Sequence, residues 1–416
     1  MTGTSMDELP SRDVFVARQP IFNRRSEVFG YELLFRSSLE NTFAHDNPDQ
    51  ASLNVIANSF LVFGIETLIG SGRAFINFGR STLLNNFALA LPPDRLVVEV
   101  LEDVDEDDEV VEACQKLKAA GYAIALDDFD RRKSSSRLVS IADIIKIDFM
   151  ATTRRQRQWI ARIASRYGAA LLAEKVETAE DVQEALDLNY EYLQGYFFAR
   201  PQIQKGQKLP GFRANRLELI RALHREDPDM NLIEEQFKRD PALSYQLIRH
   251  LNSAAFGLRS PITSVRRAIT YLGQAGLRAW ATVIVLADLA TDLPVEVIVT
   301  SVTRGRFCEL LGKHLKLAED SQDLFLLGLF SLLDTLTGRP MEEALEGLPL
   351  TASAREALLG AQNPLRKVMD LVQAYEQARW EEAGALIQAL GVPADVTPAA
   401  YLEAVTWGNR VRSLRP

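Results

Sequence analysis

Eight short β-rich runs, alternating with longer helical stretches between residues 14 and 200, constrain this chain more than any other feature. The runs are VFVARQPIF (14–22), VFGYELLFR (28–36), AFINF (74–78), LVVEVLE (96–102), AIALDD (123–128), IIKID (144–148), ALLAEKV (170–176) and YLQGYFF (192–198). Helical patterns such as ASLNVIANSFLVFGIETLI (51–69) and VVEACQKLKAAG (110–121) separate most of them. The second ends on Gly121, a residue suited to the position just past a helix. Continuous apolar strands alternating with helices predict a parallel sheet buried on both faces. Eight such strands predict closure into a (β/α)8 barrel. The first two are joined only by NRRSE, a hairpin length, so one barrel strand is expected to run antiparallel.

RPQIQKGQKLPG (200–211) is rich in Pro, Gly and polar residues, and the pattern after it is helical throughout. Within RDPALSYQLIRHLNSAAFG (239–257), Asp240 reads as an N-cap with Pro241 at the first helical position. The expected organisation is a barrel domain over 1–205, with its core at 14–201, a linker at 206–211 and an all-α domain over 212–416. A length of 416 residues with 47% apolar content suits two cores. The N-terminus has no apolar signal-peptide core. The most apolar run, AWATVIVLADLA (279–290), falls short of the roughly 18 residues of a membrane span and reads as a buried helix. A cytoplasmic protein that engages no membrane is therefore expected. The net charge of −9 argues against a general nucleic-acid binder. Cys114 and Cys308 lie far apart without ligand spacing and read as buried thiols.

The chemistry lies in the charges on the strands. Glu32, Glu99, Asp127, Lys146 and Glu174 each sit inside or at the end of an otherwise apolar run. A buried charge is costly unless it is paired or bound to metal. Five on separate strands, converging at the barrel mouth where sites of this architecture form, point to a functional centre. Asn77 and Gln194 add neutral oxygen ligands or hydrogen bonds, and Asp128 lies just beyond its strand, free to turn toward a second metal. Oxygen ligands without histidine suit Mg²⁺ or Mn²⁺, not zinc. Two such ions would clamp the attacking and leaving oxygens in phosphodiester hydrolysis. Lys146 would supply positive charge or orient the water. Arg36 shares strand parity with Glu32 and could fork onto a phosphate, although alone it reads equally as a structural ion-pair partner.

ARQPIF, GYELLFR, FINF, VVEVLE, ALDDF, IKID, AEKVET and LQGYFFARP, in that order, resemble the motif series of EAL domains, the cyclic di-GMP phosphodiesterase family. The resemblance implies that Glu32, Asn77, Glu99, Asp127 and Glu174 are metal ligands. It implies that Asp128 serves the second metal and the attacking water, and that Lys146 and Gln194 orient water and metal. Two departures stand out. Asp130-Arg131-Arg132-Lys133-Ser134-Ser135-Ser136 replaces the family's Gly-rich loop, and Lys175 stands where the family usually has glycine, as is expected of the subgroup that the second half of the chain resembles. The altered loop implies slower turnover, with ligand affinity close to that of other EAL domains, and it bears on whether the chain forms the homodimer the family uses.

DPALSYQLIRHLNSAAFGLRSPITSVRRAITYLG (240–273) resembles the HDOD domain, an all-helical relative of HD hydrolases. Those hydrolases need a His-Asp pair. Here Leu333 precedes Asp334, and His45, His224, His250 and His314 form no such dyad. The second half therefore reads as an interaction module for a protein partner not identified by sequence. Two functions compete. One is a phosphodiesterase opening cyclic di-GMP to pGpG, with Lys146, Asp128 and Glu174 in catalysis and Arg36, Asn77 and Gln194 at the substrate. The other is a cyclic di-GMP receptor, weakly active or inactive, that works through protein partners. The complete ligand set favours the first and the altered loop the second.

Overall fold

The computed structural model describes residues 15–36, 65–129, 137–195 and 219–409, apart from 221, 224–226, 240, 253–261, 263, 290–293, 316–320, 347 and 349. The loop at 130–136, the linker at 206–211 and the cap at Asp240 lie outside the described residues. Eight strands close a barrel in sequence order. They are β1 (Phe15–Asn23), β2 (Val28–Arg36), β3 (Arg73–Phe78), β4 (Leu96–Val100), β5 (Ala123–Leu126), β6 (Ile144–Asp148), β7 (Ala170–Glu174) and β8 (Tyr192–Leu193). β1 runs antiparallel to β2 and β8, as its short hairpin to β2 requires, and the remaining pairs are parallel.

The helices between strands begin and end where their sequences dictate. The helix α1 (Asp108–Ala119) has Asp107 as N-cap, accepting from the Val110 amide at 2.9 Å, with Lys116 and Lys118 in its last turn. α2 (Arg154–Tyr167) starts on a Thr153–Gln156 capping box and ends on Gly168 at φ 73°. α3 (Ala179–Asp187) opens on a second box, Thr178–Asp181, which fixes the chain as it leaves β7. Gly195, just past β8, has φ 150°, and a Cβ there would lie 2.3 Å from the Val176 carbonyl oxygen. Only glycine allows β8 to close against the end of β7 in this way.

Inside the barrel, side chains stack in layers. Ile21, Phe75, Val97, Ala125, Ile144 and Leu172 form a buried apolar layer. Side chains alternate faces along a strand, so the next inward position lies two residues on. That step leads from Phe75 to Asn77, Val97 to Glu99, Ala125 to Asp127, Ile144 to Lys146 and Leu172 to Glu174. On the antiparallel β1 the step runs backward, from Ile21 to Gln19. A dry floor thus carries a polar storey directly above it.

The chain divides into two compact units, residues 1–197 with 370–402, and residues 198–369 with 403–416. The sequence pattern assigns the whole of 212–416 to one domain; in the structure, 370–402 belongs with the barrel unit. The reason is aromatic packing on β1. Tyr375 is fully buried and packs with Trp380 (5.2 Å, edge to face), Tyr401 (4.9 Å) and Phe15 (6.4 Å). The Tyr401 hydroxyl also accepts from the Arg18 amide at 3.4 Å. Tyr375→Ala should lower the unfolding free energy of the barrel by about 3–5 kcal/mol, as loss of a large buried aromatic does. Denaturant unfolding followed by barrel hydrogen exchange checks this.

The second unit is helical. Leu223, Phe237, Leu247, Ile269 and Trp280 belong to one core, and Val302, Leu326, Phe330 and Leu336 to another. Residues 279–289 of the run at 279–290 lie in the helix Val265–Leu289, with Trp280, Ala281 and Ile284 buried. Among the described residues no helix is long and apolar enough to cross a membrane. Both cysteines are buried, and burial pushes the Cys114 thiol up to about 11. His250 packs on Trp280 at 6.2 Å and His314 is exposed. Asp334 is half-buried and accepts from the Thr335 amide at 2.7 Å.

Candidate metal centre

Lys146 stands at the middle of the polar storey with 1% of its side chain exposed. Its ammonium contacts Glu99 Oε1, Glu174 Oε1 at 2.8 Å, Asp127 Oδ1 at 3.1 Å and Glu32 Oε1 at 3.5 Å. One buried cation therefore serves four carboxylates from four strands. Register explains the convergence: Asn77 lies opposite Glu99, Asp148 opposite Glu174, and Gln19 opposite Glu32. Gln194 Nε2 donates to Glu32 Oε2 at 2.6 Å and to Gln19 Oε1 at 3.1 Å.

The charge surplus shows in the protonation of the acids. Burial, reinforced by Glu32, Asp127 and Glu174 and opposed by Lys146, holds Glu99 well above the usual carboxylate range. Burial likewise pushes Glu174 up to about 8. Asp128 is raised by burial and by the neighbouring Asp127. Burial works against the Lys146 charge, but the four surrounding carboxylates outweigh it and hold the ammonium protonated.

A linkage follows for the metal-free protein. Between its ordinary 4.5 and about 8, the Glu174 carboxyl stays protonated in the folded state but not in the unfolded chain. The folded state then binds the extra proton, so its stability falls as pH rises through that window. In EDTA the melting temperature should drop by several degrees from about pH 5 to about pH 8.5, and saturating Mn²⁺ should remove most of that drop. Differential scanning calorimetry at the two pH values checks it.

Asp127, Asp128 and Glu174 bring carboxylate oxygens within 4.8 Å of one another at the open edge of the storey. Asp128 adopts φ 39°, and its amide donates to Asp127 Oδ1 at 3.0 Å. Three buried oxygens of the storey lack a hydrogen-bond partner among the described residues: Asn77 Oδ1, Glu99 Oε2 and Gln194 Oε1. Buried acceptors left without donors are costly. A surplus of negative charge, unpartnered oxygens and no histidine together form a donor set that fits a hard divalent cation.

The structure thus brings together Glu32, Asn77, Glu99, Asp127, Asp128, Lys146, Glu174 and Gln194, the residues singled out by their place in apolar runs. Arg36 closes β2 at the rim, half-buried, two inward positions beyond Glu32. Sequence reasoning missed Gln19, an uncharged residue that shares a face with Ile21 and that the antiparallel course of β1 brings to the level of Glu32. It also missed Asp148, one inward step above Lys146.

Residues 76–201 match the EAL domain family and residues 209–343 the HDOD domain family. The chain is 37% identical over 404 residues to the uncharacterized protein YuxH of Bacillus subtilis, spanning 95% of this chain and 98% of that protein. It is 33% identical over 403 residues to the cyclic di-GMP phosphodiesterase CdgJ of Vibrio cholerae, spanning 96% of this chain and 93% of that protein. Among solved structures it is similar to Klebsiella pneumoniae BlrP1 in a complex with manganese and cyclic di-GMP. That likeness has a TM-score of 0.39 and 24% identity, over 46% of this chain and 56% of the other.

Proposed function

The chain belongs to the family of proteins that join an EAL domain to an HDOD domain, and on that premise we propose that it hydrolyses cyclic di-GMP to pGpG in a divalent-metal centre at the barrel mouth. The observation that carries the reading is the polar storey itself: three buried carboxylates and the half-buried Asp127 around one lysine, with unpartnered oxygens beside them. Near-full-length similarity to CdgJ supports the choice of substrate.

Glu32, Asn77, Glu99 and Asp127 are the residues to hold one Mg²⁺ or Mn²⁺ ion, and Asp127, Asp128 and Glu174 to hold a second. Such ions, when bound, neutralise phosphate charge and acidify water. Asp128, the exposed acid of the set, is the proposed acceptor of a proton from the attacking water. Glu174, whose carboxyl burial raises in the metal-free protein, would give up that proton when an ion binds and would then help hold the ion beside the attacking water. Lys146 limits the repulsion among the acids and keeps their oxygens converged. Gln194 holds Glu32 in orientation. Hydrolysis adds the water oxygen to phosphorus and breaks one P–O bond to a ribose 3′ oxygen. That oxygen takes up a proton, and linear pGpG leaves.

Arg36 is the proposed phosphate contact at the rim. Arg36→Ala should weaken cyclic di-GMP binding by about 1.5–3 kcal/mol, the range of a charged hydrogen bond, and calorimetry with Ca²⁺ in place of the catalytic ion measures it. The HDOD half is the proposed docking module for a protein partner, without hydrolase activity of its own. The function is tested by incubating the full chain with cyclic di-GMP and Mn²⁺ or Mg²⁺. Metal-dependent appearance of pGpG is expected, and binding without any turnover would make the protein a receptor.

A further inference from the structure

An ion pair that the proposed ligands do not require borders the second cation position. β7 ends on Glu174, and the next residue, Lys175, adopts φ 53°. That left-handed backbone strains any residue with a Cβ and favours glycine. The turn carries the Lys175 ammonium onto Asp148 Oδ2, at the end of β6. Asp148 is itself fixed, because its Oδ1 accepts from the Met150 amide at 2.7 Å and the Ala151 amide at 2.8 Å. The Lys175 ammonium also lies within electrostatic reach of Asp128 and Glu174, two of the three acids of the second position. The Lys175 side chain is 58% exposed but that of Asp148 only 9%, so the lysine compensates a buried carboxylate from a turn that glycine would relieve.

We propose that Lys175 and Asp148 are positioning residues for the second divalent ion. Their fixed, nearly neutral pair sets the field at Asp127, Asp128 and Glu174, and through it the affinity of that position. The inference rests on the two-cation reading above. Removing either partner leaves the other's charge uncompensated beside a doubly charged ion. At close range and reduced dielectric, one uncompensated charge shifts the affinity of such an ion by roughly tenfold or more. The two removals act in opposite directions.

The test is a Mn²⁺ titration of the metal-free full chain, with free Mn²⁺ read by electron paramagnetic resonance. It compares the wild type with Lys175→Gly, Asp148→Asn and the double variant, and thermal melts establish that each is folded. The wild type should bind two ions. Lys175→Gly should tighten the weaker ion about tenfold, Asp148→Asn should loosen it about tenfold, and the double variant should return to within about threefold of wild type. The tighter ion should move little in all three. A weaker-ion affinity that stays constant across the variants, or that falls in all of them as a merely structural role would make it, overturns the proposal. A wild type that binds only one ion overturns the two-cation reading, and this inference with it.

Discussion

Lys146→Met should lower the unfolding free energy in EDTA by about 3–5 kcal/mol, the loss expected when one partner of a buried ion pair is removed. The magnitude follows from what is left behind. Methionine fills much the same volume, so packing changes little. Glu32, Glu99, Asp127 and Glu174 then face one another with no cation among them. The cluster must take up protons to stay folded, so the destabilisation should grow as pH rises. Saturating Mn²⁺ should restore much of the lost stability, because bound cations supply the missing charge. Urea unfolding with and without metal reads both effects. A variant as stable as wild type in EDTA at pH 8 would mean that the four acids do not share one buried field.

Asp127→Asn should cut hydrolysis of cyclic di-GMP by at least about a thousandfold, since Asp127 belongs to both proposed cation positions and two-metal chemistry fails when either ion is displaced. The fold should not suffer. Without metal four acids share one ammonium, and the raised Glu99 and Glu174 carboxyls show that the storey already resists further negative charge, so loss of one negative charge leaves stability in EDTA equal or higher. This pairing separates a site residue from a structural one: activity collapses while stability does not. Glu32→Ala should also abolish turnover, but with some loss of stability, because Gln194 Nε2 then keeps only its bond to Gln19. Quantifying pGpG formation alongside thermal melts distinguishes the two variants.

Much of the barrel and its site is legible in the amino-acid sequence. The barrel follows from eight apolar runs, and β2 and β6 have the bounds that their runs suggest. The site follows from parity, since a charged residue two positions beyond a core residue on the same strand must face the same interior. What escapes depends on information that periodicity does not carry. Gln19 is uncharged, so nothing marks it out in its run, and it reaches the site through its register with Glu32. The destination of Lys175 depends on one left-handed φ, which an ordinary residue code does not announce. The helices within 370–402 have the same apolar spacing as their neighbours, which shows that they bury a face but not whose core receives it. Tyr375 and Tyr401 join the barrel unit through Phe15 and Arg18, contacts that span most of the chain and leave no trace in local spacing.

The central claim is that the polar storey of the barrel is a two-cation hydrolytic centre. Anomalous diffraction at the manganese edge, from crystals grown with Mn²⁺ and cyclic di-GMP, tests it most directly. The account predicts two anomalous peaks at the barrel mouth, one among Glu32, Asn77, Glu99 and Asp127, the other among Asp127, Asp128 and Glu174, with a phosphate of the ligand against both. Full ligand occupancy with no manganese peak among these residues would contradict it.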